Sequence, residues 1–391
     1  MPGPVAPLPE IRELLIAQGA REAYKCYQCG KCMAACPWYS VAPVNYAVYR
    51  YPLAVKMGTV TASEDRAEVA AEVEDIFRCL GCDACRAACP RGVDMSVILR
   101  AARRLLVDYA SLPQQLKSVL TKVRTSGNPL GEPKEKRAAW AEGLRVPPFD
   151  AGMDFLYFPC CVPSYHQRAQ AMAKATATIL SLAHVRFGLL GERESCCGEA
   201  VRKMGAEKLF SDLANANMRA FGAAGVKRVL VTSPHCLTAF TLDYAEQRAN
   251  VQALHETQLF AELIDRKRLM PRKRVGRVVT YHDPCLLGRK RRIYEEPRAV
   301  LKSIPGLQLV EMEHFTKAQS LCCGGGSGGL WLDRPPEMRV TNVRALQAAR
   351  TGADTLAVAC PYCLLMFEDA VKVLNLPLEV KAISELLLEA L

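Results

Sequence analysis

Two short segments constrain this chain more than anything else in it. Cys26, Cys29, Cys32 and Cys36 precede Pro37 as C-x2-C-x2-C-x3-C-P, and Cys79, Cys82, Cys85 and Cys89 precede Pro90 with the same spacing. Three thiolates so close in sequence can wrap one cuboidal 4Fe-4S cluster, while the fourth is carried by the chain to a second cluster. The spacing therefore assigns Cys26, Cys29, Cys32 and Cys89 to one cubane and Cys79, Cys82, Cys85 and Cys36 to the other. Structural zinc usually draws its four thiolates from two separated C-x2-C knuckles and fits this run poorly. Gly30 and Gly81 lie inside the loops, where a missing side chain lets backbone N–H groups approach the cluster sulfurs. The stretches RAEVAAEVEDIFR and VILRAARRLLVDYA have helical spacing, so residues 1–110 read as a mainly helical unit that carries single electrons.

Composition narrows the setting. Eighteen cysteines in 391 residues are too many for an ordinary soluble enzyme, and a secreted disulfide scaffold would be much shorter. The start, MPGPVAPLPEIRELL, lacks the pattern of a cleavable leader, and no run approaches the ~20 apolar residues of a membrane span. The expectation is a cytoplasmic protein without its own membrane anchor, at most held to a membrane through a partner subunit, with its thiols reduced and available for metal or redox chemistry. The formal net charge of +11 is concentrated at 266–277 (RKRLMPRKRVGR) and 289–292 (RKRR). Both runs read as solvated basic surface, the alternative being attraction of an acidic partner or anionic substrate. No aromatic residues interleave with them, which argues against nucleic-acid binding.

Residues 111–152, rich in Pro, Lys and Gly, read as a linker with one short helix. From residue 153 onward the sequence repeats itself. FLYFPCC answers VVTYHDPC, CCGEAVRKMG answers CCGGGSGGLW, and GVKRVLVTSPHCLTAF answers GADTLAVACPYCLLMF at a shift of 127 residues. Short apolar strands alternating with helices imply parallel sheets covered by helices, hence two α/β modules, 153–270 and 271–391, packed about a pseudo-two-fold. Ligands of such sheets bind beyond the carboxyl ends of the strands, where these cysteines fall, so the repeat predicts two facing sites.

In the C-terminal half, Cys285 is followed by the vicinal pair Cys322 and Cys323 and by Cys360 and Cys363 in CPYC. Five thiols exceed the needs of one zinc, and adjacent cysteines suit a cubane poorly, so a larger or irregular iron-sulfur assembly fits better. This pattern resembles the cysteine-rich, or CCG, domain of heterodisulfide reductases. With the ferredoxin-like part in front, residues 20–388 resemble the HdrD family of heterodisulfide reductase subunits. Its wider relatives include the sulfite-reduction-associated DsrK subunits and the iron-sulfur subunits of glycolate oxidase, anaerobic glycerol-3-phosphate dehydrogenase and benzoyl-CoA reductase complexes. The resemblance implies an α+β multidomain chain: an α-helical ferredoxin-like domain with two cubane 4Fe-4S clusters, then two CCG modules. It also implies that Cys285, Cys322, Cys323, Cys360 and Cys363 hold a noncubane 4Fe-4S cluster that reduces a disulfide within a multi-subunit oxidoreductase. The other reading is a non-catalytic electron conduit beside a flavoprotein, tungsten, cytochrome or dehydrogenase subunit.

The first module departs from the pattern. Cys161, Cys196, Cys197 and Cys236 match, but Ser233 stands where Cys360 stands in the other half, and Cys160 is additional. Cys160 is either a replacement ligand or an inert buried thiol, the latter being favoured, so a second noncubane cluster is left open. Gly324, Gly326 and Gly329 match a dinucleotide fingerprint on paper but follow two candidate iron ligands rather than a strand. They read as backbone bared for close approach. His235 and His282 lie near Cys236 and Cys285 and could give a proton to a leaving thiolate, or could only orient the loops, and Tyr362 inside CPYC is equally ambiguous.

Overall fold

The structure, a computed structural model, describes residues 7–41, 46–60, 65–109, 111–247 and 251–391. Residues 1–6, part of the stretch without a leader pattern, and residue 110, at the first expected domain limit, lie outside the described residues.

The first part of the chain is helical. RAEVAAEVEDIFR forms the helix Arg66–Arg78, and Asp65 caps it by accepting the Ala67 N–H at 2.7 Å. Asp94 caps Met95–Asp108 in the same way through the Ser96 and Val97 N–H groups. That second helix buries Met95, Ile98, Leu99, Ala102 and Leu106 at helical spacing. Arg103 lies on the same face, only 2% exposed, and all three of its guanidinium nitrogens are engaged. It donates to the carbonyls of Ile76 (3.1 and 2.7 Å), Cys79 (2.8 Å) and Lys203 (2.9 Å). One side chain thus ties the helix to a cysteine loop and to the first α/β module.

Residues 111–152 are more ordered than a linker. Gln114–Ser126 is a helix that buries Leu116, Val119, Leu120 and Val123, and Lys134–Ala141 buries Arg137 and Trp140. Trp140 packs edge-on against Tyr157 at 5.8 Å. The surrounding Pro, Gly and Lys content obscures an apolar stripe at i, i+3, i+4 and i+7 inside QQLKSVLTKVRTS.

The repeat builds two four-stranded sheets, each parallel throughout and in the same order. The first contains β1 (Phe155–Phe158), β2 (Phe187–Gly188), β3 (Arg228–Val231) and β4 (Gln252–His255), ordered β2-β1-β3-β4. The second contains β5 (Val278–Tyr281), β6 (Gln308–Val310), β7 (Thr355–Val358) and β8 (Glu379–Ala382), ordered β6-β5-β7-β8. β1 and β7 are buried at every residue, as strands covered on both faces must be. The modules meet through equivalent elements. Gln167–Leu182, which follows β1, packs on Ile383–Glu389, which ends the second module, and Glu295–Lys302 packs on Glu256–Asp265 in the reciprocal contact. All ten cysteines of the two modules come after the carboxyl ends of β1, β2, β3, β5, β6 and β7.

Replacing Arg103 with Leu would leave the Ile76, Cys79 and Lys203 carbonyls without their donor. We expect it to lower stability by about 3 kcal/mol, read as a lower midpoint in anaerobic guanidinium unfolding, with Arg103→Lys recovering only part.

Candidate functional site

The two C-x2-C-x2-C-x3-C runs fold onto each other because the short helices Lys31–Ala35 and Ala84–Ala88 pack together. One cavity is lined by Cys26, Cys29, Cys32 and Cys89, with Cys85 at its edge. A second is lined by Cys36, Cys79, Cys82 and Cys85. The fourth cysteine of each run therefore sits with the first three of the other. Backbone N–H groups point at thiol sulfurs, from Gln28 to Cys26 and from Val93 to Cys89 at 3.4 Å, and from Gly81 to Cys79 at 3.5 Å. Gly81 plays the part expected of it, whereas Gly30, at φ +79°, starts a helix and makes no such bond among the described residues. Cys29 is exposed and Cys82 is buried, so the first cavity faces solvent and the second faces the interior.

In the second module the five thiols form one contiguous row. Cys285 lies 4.0 Å from Cys322, Cys322 adjoins Cys323, Cys323 adjoins Cys363, and Cys363 adjoins Cys360. Hydrogen bonds from Cys322 and Cys363, then from His282, pull the Cys323 thiol well below its ordinary pKa despite its burial. Burial pushes Cys360 up, but hydrogen bonds from Cys363 and His235 bring it down to about 6. A ring nitrogen of His282 lies within 4.8 Å of the Cys323 and Cys363 sulfurs, and its Nδ1 accepts from Arg344 Nε at 3.3 Å. Burial holds His282 below its ordinary pKa, hence neutral. His235 is the opposite case. Burial disfavours its charge, but Glu199, whose Oε2 is 2.6 Å from Nδ1, together with Cys360 holds it well above the ordinary value. Lys203 Nζ closes this chain at 2.5 Å from Glu199 Oε1. The two histidines, alike in sequence context, thus face neighbouring thiols of one row, His235 at Cys360 and His282 at Cys323, with their pKa values moved in opposite directions.

His235 belongs to the first module yet reaches a cysteine of the second. Its ring lies on Tyr362, the residue at the equivalent repeat position, with centroids 4.1 Å apart. A cavity bordered by Lys203, His235, Leu80, Cys285 and Cys360 opens where the ferredoxin-like part and both modules meet.

The loops of the two halves also touch. Cys82 hydrogen-bonds Cys322, and this contact, against burial and with help from the Arg289 charge, lowers Cys82 to about 6. Arg289 is 8% exposed and donates to the carbonyls of Cys82 (2.7 Å), Ala318 (3.3 Å) and Ser320. Lys290 pairs with Asp83 at 3.0 Å. The run 289–292 is thus a clamp between domains at its first two residues rather than solvated surface; it could not be told from 266–277, where Arg266, Lys267, Arg272 and Lys273 are exposed. The glycines of 324–329 have a related duty. A side chain at Gly326 would meet the Leu80 carbonyl oxygen at 2.3 Å, and one at Gly81 would meet Ser327 Oγ at 2.5 Å.

The first module places Cys161, Cys196, Cys197, Cys236 and Cys160 together, all buried. Arg137, 2% exposed, donates to Cys161 Sγ at 3.5 Å and to Glu194 Oε2 at 2.8 Å. Glu199, Arg137 and Arg344 carry no motif and were not among the candidates from sequence, and Arg289 was read there only as part of a basic run. Buried thiols in these numbers suit iron-sulfur clusters, and so do two polar atoms. Arg137 Nη2 and Arg289 Nη2 are buried without a hydrogen-bond partner among the described residues, as donors to an anionic cluster would be.

Comparison with known proteins agrees with this layout. A 4Fe-4S dicluster domain model matches residues 22–93, and a cysteine-rich domain model matches 155–241 and again 279–368. The HdrD subunit of the dihydromethanophenazine:CoB–CoM heterodisulfide reductase of Methanosarcina barkeri is 32% identical, the match covering 96% of each chain. EtfAB:quinone oxidoreductase of Syntrophomonas wolfei is 30% identical over 89% of this chain and 55% of its own length. The probable iron-sulfur-binding oxidoreductase FadF of Bacillus subtilis is 28% identical over 90% of this chain and 57% of its own. The chain therefore spans little more than half of the last two relatives. No helix among the described residues is long and apolar enough to cross a membrane.

Gly326→Ala should force the 79–85 and 322–329 loops apart. Electron delivery from the N-terminal part to the second module is expected to slow about tenfold or more, measured by stopped-flow oxidation of the reduced protein, with its iron content unchanged.

Proposed function

Because the chain belongs to the HdrD-like family of cysteine-rich iron-sulfur proteins, named for heterodisulfide reductase, we propose that it is a redox subunit that reduces a disulfide at its second cysteine-rich module. The contact between Cys82 and Cys322 is the observation that carries this reading. It joins an electron-carrying unit to a thiol-rich site without an intervening element. Cys26, Cys29, Cys32 and Cys89 would hold one cubane, Cys79, Cys82, Cys85 and Cys36 the other, and Cys285, Cys322, Cys323, Cys360 and Cys363 a noncubane cluster. When bound, these clusters supply single-electron transfer and direct binding of substrate sulfur.

The chain's own residues do the rest. Cys29, with Tyr27 beside it 58% exposed, marks the surface where a redox partner would hand over electrons. Arg289 keeps a positive charge among Cys82, Cys285 and Cys322, where burial alone would disfavour it. It holds the two loops in register while offsetting the negative charge that reduction adds. His235, charged and anchored by Glu199, holds a proton next to Cys360, where a thiolate product would need one. His282, neutral, is turned by Arg344 so that its other ring nitrogen can donate to the thiols. Cys285, the one partly exposed thiol of this row, marks the approach for a small disulfide.

A second reading rests on a separate observation. One relative named for quinone reduction is longer than this chain, and a like role would make this chain the electron conduit between a flavoprotein and a further redox subunit, with no substrate at the second module.

Electron paramagnetic resonance of the anaerobic, oxidised protein decides between them. Disulfide reduction predicts a paramagnetic signal that appears only when a small thiol is added and that is lost in Cys360→Ser. A spectrum indifferent to every thiol, with iron present, would establish the conduit.

A further inference from the structure

The first module lacks one cysteine of the five-thiol pattern, because Ser233 occupies the repeat position of Cys360. Its thiols nevertheless form the same row as those of the second module. Cys161 adjoins Cys196, Cys196 adjoins Cys197, and Cys197 adjoins Cys236, as Cys285, Cys322, Cys323 and Cys363 follow one another. At the end of the row, where Cys363 meets Cys360, Cys236 meets Cys160. The backbone N–H groups of Gly198 and Gly324 make the same 3.4 Å contact with Cys196 and Cys322.

The neighbours of Cys160 repeat the neighbours of Cys360. His235 from the first module reaches Cys360, while its stacked counterpart Tyr362 from the second module feels Cys160 foremost among the thiols around it. A buried arginine lies beside the first cysteine of each row, Arg137 at Cys161 and Arg289 near Cys285. Each leaves one Nη2 without a partner among the described residues. An unpartnered guanidinium donor in a thiol-lined interior calls for an anionic acceptor.

Two further features separate Cys160 from an inert thiol. It holds φ +83° and ψ 157°, a region occupied almost only by glycine and costing about 1–3 kcal/mol for other residues. Apolar packing gives no reason to keep a cysteine there. Ser233, for its part, is employed elsewhere: its hydroxyl caps the helix Pro234–Thr238 by accepting the His235 N–H at 3.3 Å.

We propose that Cys160 is the fifth thiolate of an irregular four-iron cluster in the first module, taking the place that Cys360 has in the second. The inference rests on the reading of the second module as a cluster site and adds a second one, ligated by Cys160, Cys161, Cys196, Cys197 and Cys236. This first site is wholly buried and holds no partly exposed cysteine of the kind Cys285 represents, so its role is to store or relay electrons rather than to meet substrate.

The test is an anaerobic count of iron and acid-labile sulfide on the reconstituted full chain. Wild type is expected to hold about 16 irons, and Cys160→Gly about 12. Glycine suits φ +83°, so a loss of iron in this variant does not reflect a strained backbone. Cys160→Gly combined with Ser233→Cys, which restores the spacing of the second module, should recover about 16, and Ser233→Ala alone should keep the wild-type count. Undiminished iron in Cys160→Gly overturns the inference. A wild-type count of about 12 with the thiol-dependent paramagnetic signal present overturns it alone, and a count of about 8 without that signal overturns the reading of the second module as well.

Discussion

The 79–85 loop packs against the 322–329 loop, and that contact ties the ferredoxin-like part to the second module. It brings Cys82 against Cys322 and is made possible by absent side chains, since Gly326 and Gly81 leave room for the Leu80 carbonyl and the Ser327 hydroxyl. Arg289 and Lys290 then clamp it from the second module onto Cys82 and Asp83. On the other side Arg103 reaches from the ferredoxin-like part to Cys79 and Lys203. Charged side chains buried at a domain boundary cost desolvation, and here Arg103 donates to backbone carbonyls through all three guanidinium nitrogens and Arg289 through two, which holds the loops in one register.

Around that contact the duplicated modules are used unequally. Their sheets have the same order and their cysteines the same row, yet the second site borders a cavity through Cys285 while the first is sealed. The join between their cysteine rows is the stacked pair His235 and Tyr362, equivalent residues that face each other's thiols. Exchange of one residue each way makes neither module complete without the other. It also places Glu199 and Lys203, both from the first module, within one hydrogen-bonded chain that ends at the second site.

Much of this was legible in the sequence because iron-sulfur ligation demands fixed spacings and parallel strands demand continuous apolar runs. The grouping of Cys26, Cys29, Cys32 and Cys89 against Cys36, Cys79, Cys82 and Cys85 could be read from loop length alone. The strands FLYF and TLAV were evident from their apolar character. Arg289 was not legible, because a basic run has the same appearance whether it is solvated or buried against another domain's carbonyls. Gln114–Ser126 was obscured by the proline and glycine that flank it, and Glu199 because its contact with His235 joins residues 36 apart in sequence.

Spacing along one chain was enough to reveal the two C-x2-C-x2-C-x3-C runs, the repeat and the family. The fold was needed to show that Cys82 faces Cys322, that His235 reaches Cys360 across the module boundary, and that Cys160 lies at the end of its row, where the repeat alone points to Ser233. Those contacts join residues far apart in sequence, and spacing along the chain does not determine which distant loops a packed core brings together.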